Sequence, residues 1–211
     1  MKVLFSLCLC TLVAGMALAQ SDNDNSLGMF FTADIAAILE ADDPDNPPNE
    51  PPHPYSNADV GATPFMGYIV LLYPTVESVG GYEVGITFAP DDPGLFILGA
   101  SGPNGWTNFG GTDNHLVGYG VPLPCDAGGV VLGELQMLYS GTSTIEIQFG
   151  QASPPSIPGV PAIADGGNPD DLYGCNLTCS PAYCPTVATI NGEGVVAVDV
   201  KSFTSVKALF E

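Results

Sequence analysis

The chain has 211 residues, with 23 acids against three lysines and no arginine, for a formal charge of −20. That charge repels phosphate backbones and anionic membranes, so nucleic acid is excluded as a partner and cations or neutral molecules remain. With 45% hydrophobic residues the chain is not disordered throughout, and its acids decorate a folded surface that they keep hydrated.

In chain order, the first feature is Lys2 followed by an apolar run over residues 3–14, then Ala17-Leu18-Ala19. This is the pattern of a secretory signal peptide cleaved before Gln20, and the run is too short for a confident membrane span. The expectation is an exported protein, secreted or at the cell surface, with a signal peptide over 1–19, one domain over 20–211 and no membrane contact after cleavage.

Residues 27–32 form a weak strand candidate, and the acidic, Pro-rich stretch 40–54 reads as an extended solvated loop. Residues 67–73, GYIVLLY, are apolar without interruption, which suits a central strand covered on both faces. Strict alternation follows: Tyr82, Val84, Ile86 and Phe88 share one face, as do Ile145, Ile147 and Phe149, and later Val196, Val198 and Val200. Residues 95–98, 116–119 and 130–139 are weaker strands. Gly80-Gly81, Asp92-Pro93-Gly94, Gly110-Gly111 and Gly128-Gly129 mark reversals, and Asn191-Gly192 predicts a tight hairpin between 186–190 and 194–200. Residues 151–174, rich in Pro and Gly, read as a long loop that either acts or covers something. After Ser202, Phe203, Val206, Leu209 and Phe210 recur at helical spacing and predict a short C-terminal helix, with a final strand as the competing reading. The sum is an all-β fold, a single β-sandwich of Ig-like type with long Pro/Gly-rich loops.

Four cysteines follow the leader: Cys125, Cys175, Cys179 and Cys184. An even number in an exported chain favours disulfides. Spacings of C-x3-C and C-x4-C, with His53 and His115 distant in sequence, fit neither a zinc site nor a C-x-x-C redox motif. We expect Cys125 to reach one member of the cluster while the other two close a small loop, although three pairings are open.

Candidate binding residues are few. Trp106, the single tryptophan, lies between Asn104 and Asn108 in a small-residue loop, where an indole face and two amides would hold a sugar ring; the alternative is that the indole plugs one end of the sandwich. Asp165, Asn168, Asp170 and Asp171 offer oxygen ligands for calcium, as do Asp42, Asp43, Asp45 and Glu50, but neither set has EF-hand spacing, and solvated acids are the competing reading. Asn176-Leu177-Thr178 is a glycosylation triplet pinned between cysteines. Catalytic residues are not identified: there is no arginine, no Gly-x-Ser-x-Gly elbow, and nothing pairs a nucleophile with a base.

The run Val79-Gly80-Gly81-Tyr82-Glu83-Val84-Gly85-Ile86-Thr87-Phe88-Ala89-Pro90, followed by the short apolar stretch 95–99, resembles the early strands of cohesin-like and related carbohydrate-binding β-sandwich modules of bacterial exported proteins. Residues 156–166, Ile190-Asn191-Gly192 and 206–210 are similar to a group of bacterial secreted proteins with no attached activity. The resemblance implies a sandwich used for recognition. The Pro-rich insert and the cysteine cluster depart from a plain cohesin. The expected function is therefore a non-enzymatic module binding extracellular glycan or a surface protein, without a cofactor unless calcium binds. The alternatives are an acidic structural or matrix protein and a glycosidase-like enzyme using a carboxylate pair.

Overall fold

The structure, a computed structural model, describes residues 25–41, 63–126, 128–179 and 184–192. The leader, residues 42–54 of the Pro-rich stretch with Asp42, Asp43, Asp45 and Glu50, the Val196–Val200 strand and the C-terminal helix lie outside the described residues, whereas residues 40 and 41, read as the start of that loop, are helical.

Two sheets face each other. The first has five strands in the order β11-β1-β2-β7-β4: β1 spans Ser26–Phe30, β2 Phe65–Leu72, β4 Leu95–Ser101, β7 Gly129–Tyr139 and β11 Asn176–Leu177. Its pairings are antiparallel except that of β1 with β11. The second is built on β3, Ser78–Ala89, which pairs along one edge with β6, Asn114–Pro124. Two strands share the other edge of β3: β9, Ala162–Asp165, lies along its first half, and β8, Ile145–Gly150, along its second. β5 (Thr107–Asn108), β10 (Leu172–Gly174) and β12 (Thr186–Ile190) extend this sheet beyond β6, β9 and β8 respectively.

The period-two pattern dictates the core. Val84, Ile86, Ile145, Ile147 and Phe149 are all buried and pack against Leu71, Leu135 and Met137 of the opposite sheet. Each such side chain contributes about 1.5–3 kcal/mol through removal of apolar surface from water. The continuous apolar run of β2 has a different cause. It lies between β1 and β7, and its outer residues Val70 and Leu72 sit with Phe30 beneath α1, Ile35–Ala41, whose Ile38 completes a second buried cluster. Both faces of β2 are covered, as the run predicts.

α1 was not expected from the sequence. Asp34 starts it: its side chain accepts a hydrogen bond from Ala37 N at 3.2 Å and its carbonyl accepts one from Ile38 N at 3.0 Å. Ile35, Ile38 and Leu39 then share one stripe, which is the face laid on the sheet. The second difference is in residues 151–174, read as one loop, which contain β9 and β10 and so contribute two short strands to the second sheet. Among the described residues, no helix is long and apolar enough to cross a membrane.

Candidate functional site

Register on the second sheet places a band of small side chains on its outer face. Leu172 pairs with Ala164, Ala164 with Gly81, and Gly81 with Gly118, so one row crosses four strands with no side chain at its centre. The next row runs Gly174, Ala162, Glu83, Leu116. Strand spacing makes the row from Leu172 to Gly118 about 14 Å wide. At its ends stand Leu172, 44% exposed, and Phe109, 77% exposed, whose ring would meet a Cβ on Gly118 at 3.7 Å. The result is a trough of about 320 Å³ with an apolar floor and walls, closed at one corner by Glu83 and Ser156. Gly81 is fixed by its neighbours, since a Cβ there would collide with the Val117 carbonyl.

Glu83 is buried, yet it points to the outer face. Its Oε1 accepts from Ser156 N at 2.7 Å and Ile157 N at 3.4 Å, and its Oε2 accepts from the Ser156 hydroxyl at 2.7 Å. One carboxylate thus fastens the approach to β9 and supplies the trough's polar corner. On the opposite side, Asn108 Oδ1 accepts from Gly110 N and Leu116 N, and its Nδ2 donates to the Gly111 carbonyl at 2.8 Å. Asn114 exchanges two hydrogen bonds of 2.8 Å with the Ser153 backbone. Phe109 is therefore presented on a loop held from both ends, which lowers the entropy lost when it is covered.

The trio expected to hold a sugar is used differently. Both ends of the Asn108 amide are engaged in the loop just described. Asn104 and Gly105 take positive φ, 52° and 72°, and close a turn in which Trp106 N donates to the Pro103 carbonyl at 3.0 Å. Trp106 is half-buried against the core, lies edge-on to His115 with centroids 6.0 Å apart, and donates through Nε1 to the Tyr82 hydroxyl at 3.3 Å.

Beneath it lies a buried polar group. The Tyr82 hydroxyl is 2.9 Å from His115 Nδ1, and Tyr119 donates to the Leu132 carbonyl at 2.6 Å. Burial drives the His115 pKa down to about 4, with the Thr112 backbone and Asp113 opposing the shift. Burial likewise pushes the Tyr82 and Tyr119 phenols well above their ordinary range. His115 is thus neutral near pH 7; as an Nε2–H tautomer it accepts from Tyr82, which accepts from Trp106. Its Nε2 is buried without a hydrogen-bond partner.

The acids proposed for calcium form a closed turn between β9 and β10. Asp165 Oδ1 accepts from Gly167 N at 2.7 Å, Asn168 Nδ2 donates to Asp171 Oδ2 at 2.9 Å, and Asp170 N donates to Asn168 Oδ1. Among the described residues, no group of three or more His, Cys, Asp or Glu is placed to hold a metal ion.

Cys179 and Cys184 are bridged, with Cα atoms 5.3 Å apart, and close the small loop before β12. The expected link from Cys125 to the cluster is not formed: Cys125 and Cys175 are both thiols. Cys175 is buried between β10 and β11, and burial pushes its pKa up to about 12; for half-buried Cys125, burial and then Asp126 and Asp165 raise it to about 11. Residues 151–174 are tied down by strand pairing and Glu83 instead. In the Asn176-Leu177-Thr178 triplet, Thr178 is turned inward onto Gly28 of β1.

Sequence reasoning did not find Phe109, Leu172, Gly81, Gly118, Glu83 or Ser156. The available signal was the outward set of the alternating strands, where Gly81 and Gly118 replace the polar residues expected on a solvated face.

No family model matches the chain, and no curated protein matches it. Two solved chains match. One is the sixth cohesin from the scaffoldin B of Acetivibrio cellulolyticus, solved in complex with a mutant Cel5 dockerin; it is 11% identical, with 63% of this chain and 90% of that chain covered and a TM-score of 0.43. The two facing sheets themselves define the class, a β-sandwich.

Proposed function

We propose that this chain is an exported, non-enzymatic recognition module, and that the trough on the outer face of the second sheet takes hold of a protein partner. The single observation behind this reading is the row Leu172, Ala164, Gly81, Gly118 with Phe109 above it: an apolar, preformed depression on a face that would otherwise be polar. A protein suits it better than a glycan because the amide of Asn108 is already engaged and the walls are apolar, leaving little to meet sugar hydroxyls. Among the described residues the charged side chains are all acids, and the partner's contacting strip is neutral or basic. Export is supported by the leader-like N-terminus and by the Cys179–Cys184 bridge, which persists in an oxidising compartment.

The test is selection of displayed random peptides on the mature chain, followed by affinity measurement on a Phe109→Ser, Leu172→Ser double variant. Selected peptides should combine aromatic or aliphatic residues with Lys or Arg and bind the variant about tenfold or more weakly. Equal binding to both proteins removes the trough from consideration. A glycan array probed with the same proteins decides for sugar recognition if signal appears and vanishes in Trp106→Ala.

A further inference from the structure

Among the described residues the first sheet ends in an edge strand that carries neither charge nor proline. Among the described residues β4 pairs on one side only, with β7, leaving the N–H and C=O groups of its other side open. Its sequence, LFILGAS, has no charge and no proline. Edge strands are normally guarded by lysine, proline or inward charge, because open backbone groups template a further strand. Here Leu95, Ile97 and Ala100 pack inward while Phe96 and Leu98 stand outward, 50% and 49% exposed. A register shift between Ile97 and Gly99 makes Leu98 an extra residue, which interrupts the ladder but adds an exposed apolar side chain beside Phe96. Carboxylates bracket the strand: Asp91 and Asp92 precede it, and Glu134 accepts the Ser101 hydroxyl at 2.6 Å at its far end. Seven residues separate these groups by about 20 Å.

We propose that β4 is a second docking edge, accepting an extended segment of a partner protein with apolar residues at alternate positions and a Lys or Arg near each end. Open backbone groups select an extended chain, Phe96 and Leu98 select the apolar alternation, and the bracketing acids select the flanking cations. Pairing with a second copy is disfavoured, because each copy brings acids and no cation to the shared edge. This edge belongs to the other sheet from the trough, so the two surfaces can be tested separately.

The experiment titrates the isotope-labelled mature chain with two capped peptides, Lys-Val-Thr-Val-Thr-Val-Lys and Glu-Val-Thr-Val-Thr-Val-Glu, following backbone amides by NMR. The lysine peptide should shift and protect amides of β4 from exchange, and the glutamate peptide should bind about tenfold or more weakly. A Phe96→Lys, Leu98→Lys variant, both changes at exposed positions, should lose binding with its melting temperature kept. Phe109→Ser with Leu172→Ser should leave binding intact even if the trough proves to have no partner. Shifts mapping away from β4, equal binding of the two peptides, or no binding would each overturn the proposal.

Discussion

Tyr82 and His115, 33 residues apart, meet in the core edge through a 2.9 Å contact between the phenol oxygen and Nδ1, on adjacent antiparallel strands β3 and β6. Burial keeps the imidazole in this contact neutral near pH 7 by lowering its pKa from 6.5 to about 4. The unfolded chain protonates near 6.5, so between 6.5 and 4 it binds a proton that the folded chain refuses, and stability falls as pH drops through that window. Below about 4 both states are protonated and the loss levels off. The shift corresponds to about 3 kcal/mol. Urea unfolding at stepped pH should show this loss in the native protein and not in His115→Gln, the difference between the two isolating the imidazole from the carboxylates. Asp92, held low by Gly94 N, Tyr139 and Ser143, acts at lower pH, since its contribution is lost only as pH falls below the ordinary carboxylate range.

Glu83 offers a second test, because one side chain holds the chain at Ser156 and Ile157 to the centre of the sheet. Glu83→Ala removes the acceptor and strands the buried donors, which should cost about 3 kcal/mol. The denaturation midpoint should fall with the slope against urea unchanged, and proteases should cut earlier within residues 151–161. An unaltered cleavage pattern would mean that the pairing of β9 suffices to hold this segment.

The cysteines separate into two classes. Cys179→Ser with Cys184→Ser should cost about 2 kcal/mol, the chain-entropy value for so short a loop. Cys175, buried with its thiol raised to about 12, should resist alkylation in the native state, with half-buried Cys125 modified first, although slowly because its pKa is about 11. Mass mapping of natively alkylated protein should find label at Cys125 only. A Cys125–Cys175 bridge in the purified chain would contradict the thiol assignment.

Legibility in the sequence followed the strength of the local pattern. β8 and the second half of β3 could be read because one face is core and the other is not, β7 more weakly for the same reason, and β2 because α1 covers its second face; Gly80-Gly81, read as a reversal, lies inside β3. β9 and β10 were read as loop because three or four residues cannot establish a period, and their pairing with β3 is long-range. α1 left only Asp34 and the Ile35, Ile38, Leu39 stripe as signals, too short a run to stand out beside the strands. The trough was hidden for another reason. Gly81 and Gly118 matter by what they omit, and only register shows that two glycines 37 positions apart are neighbours. Trp106 attracted notice as an isolated aromatic between amides, whereas its orientation was fixed by Tyr82 and His115, residues that no local motif connects to it.

Trp106 therefore makes the sharpest remaining prediction. Its indole N–H donates to Tyr82 and its edge faces His115, so the ring is part of the packing between the sheets. Trp106→Phe keeps an aromatic and removes the donor, and should lower stability by about 1 kcal/mol, whereas Trp106→Ala should cost about 3 kcal/mol because it also opens a cavity. As the single tryptophan, it reports on itself: native emission should lie to the blue of the unfolded chain, with acrylamide quenching intermediate between buried and free indole. Soluble oligosaccharides should leave that emission unchanged, since Nε1 is engaged by Tyr82 and the ring packs against the core. A sugar-dependent shift abolished in Trp106→Phe would restore the glycan reading and displace the plug.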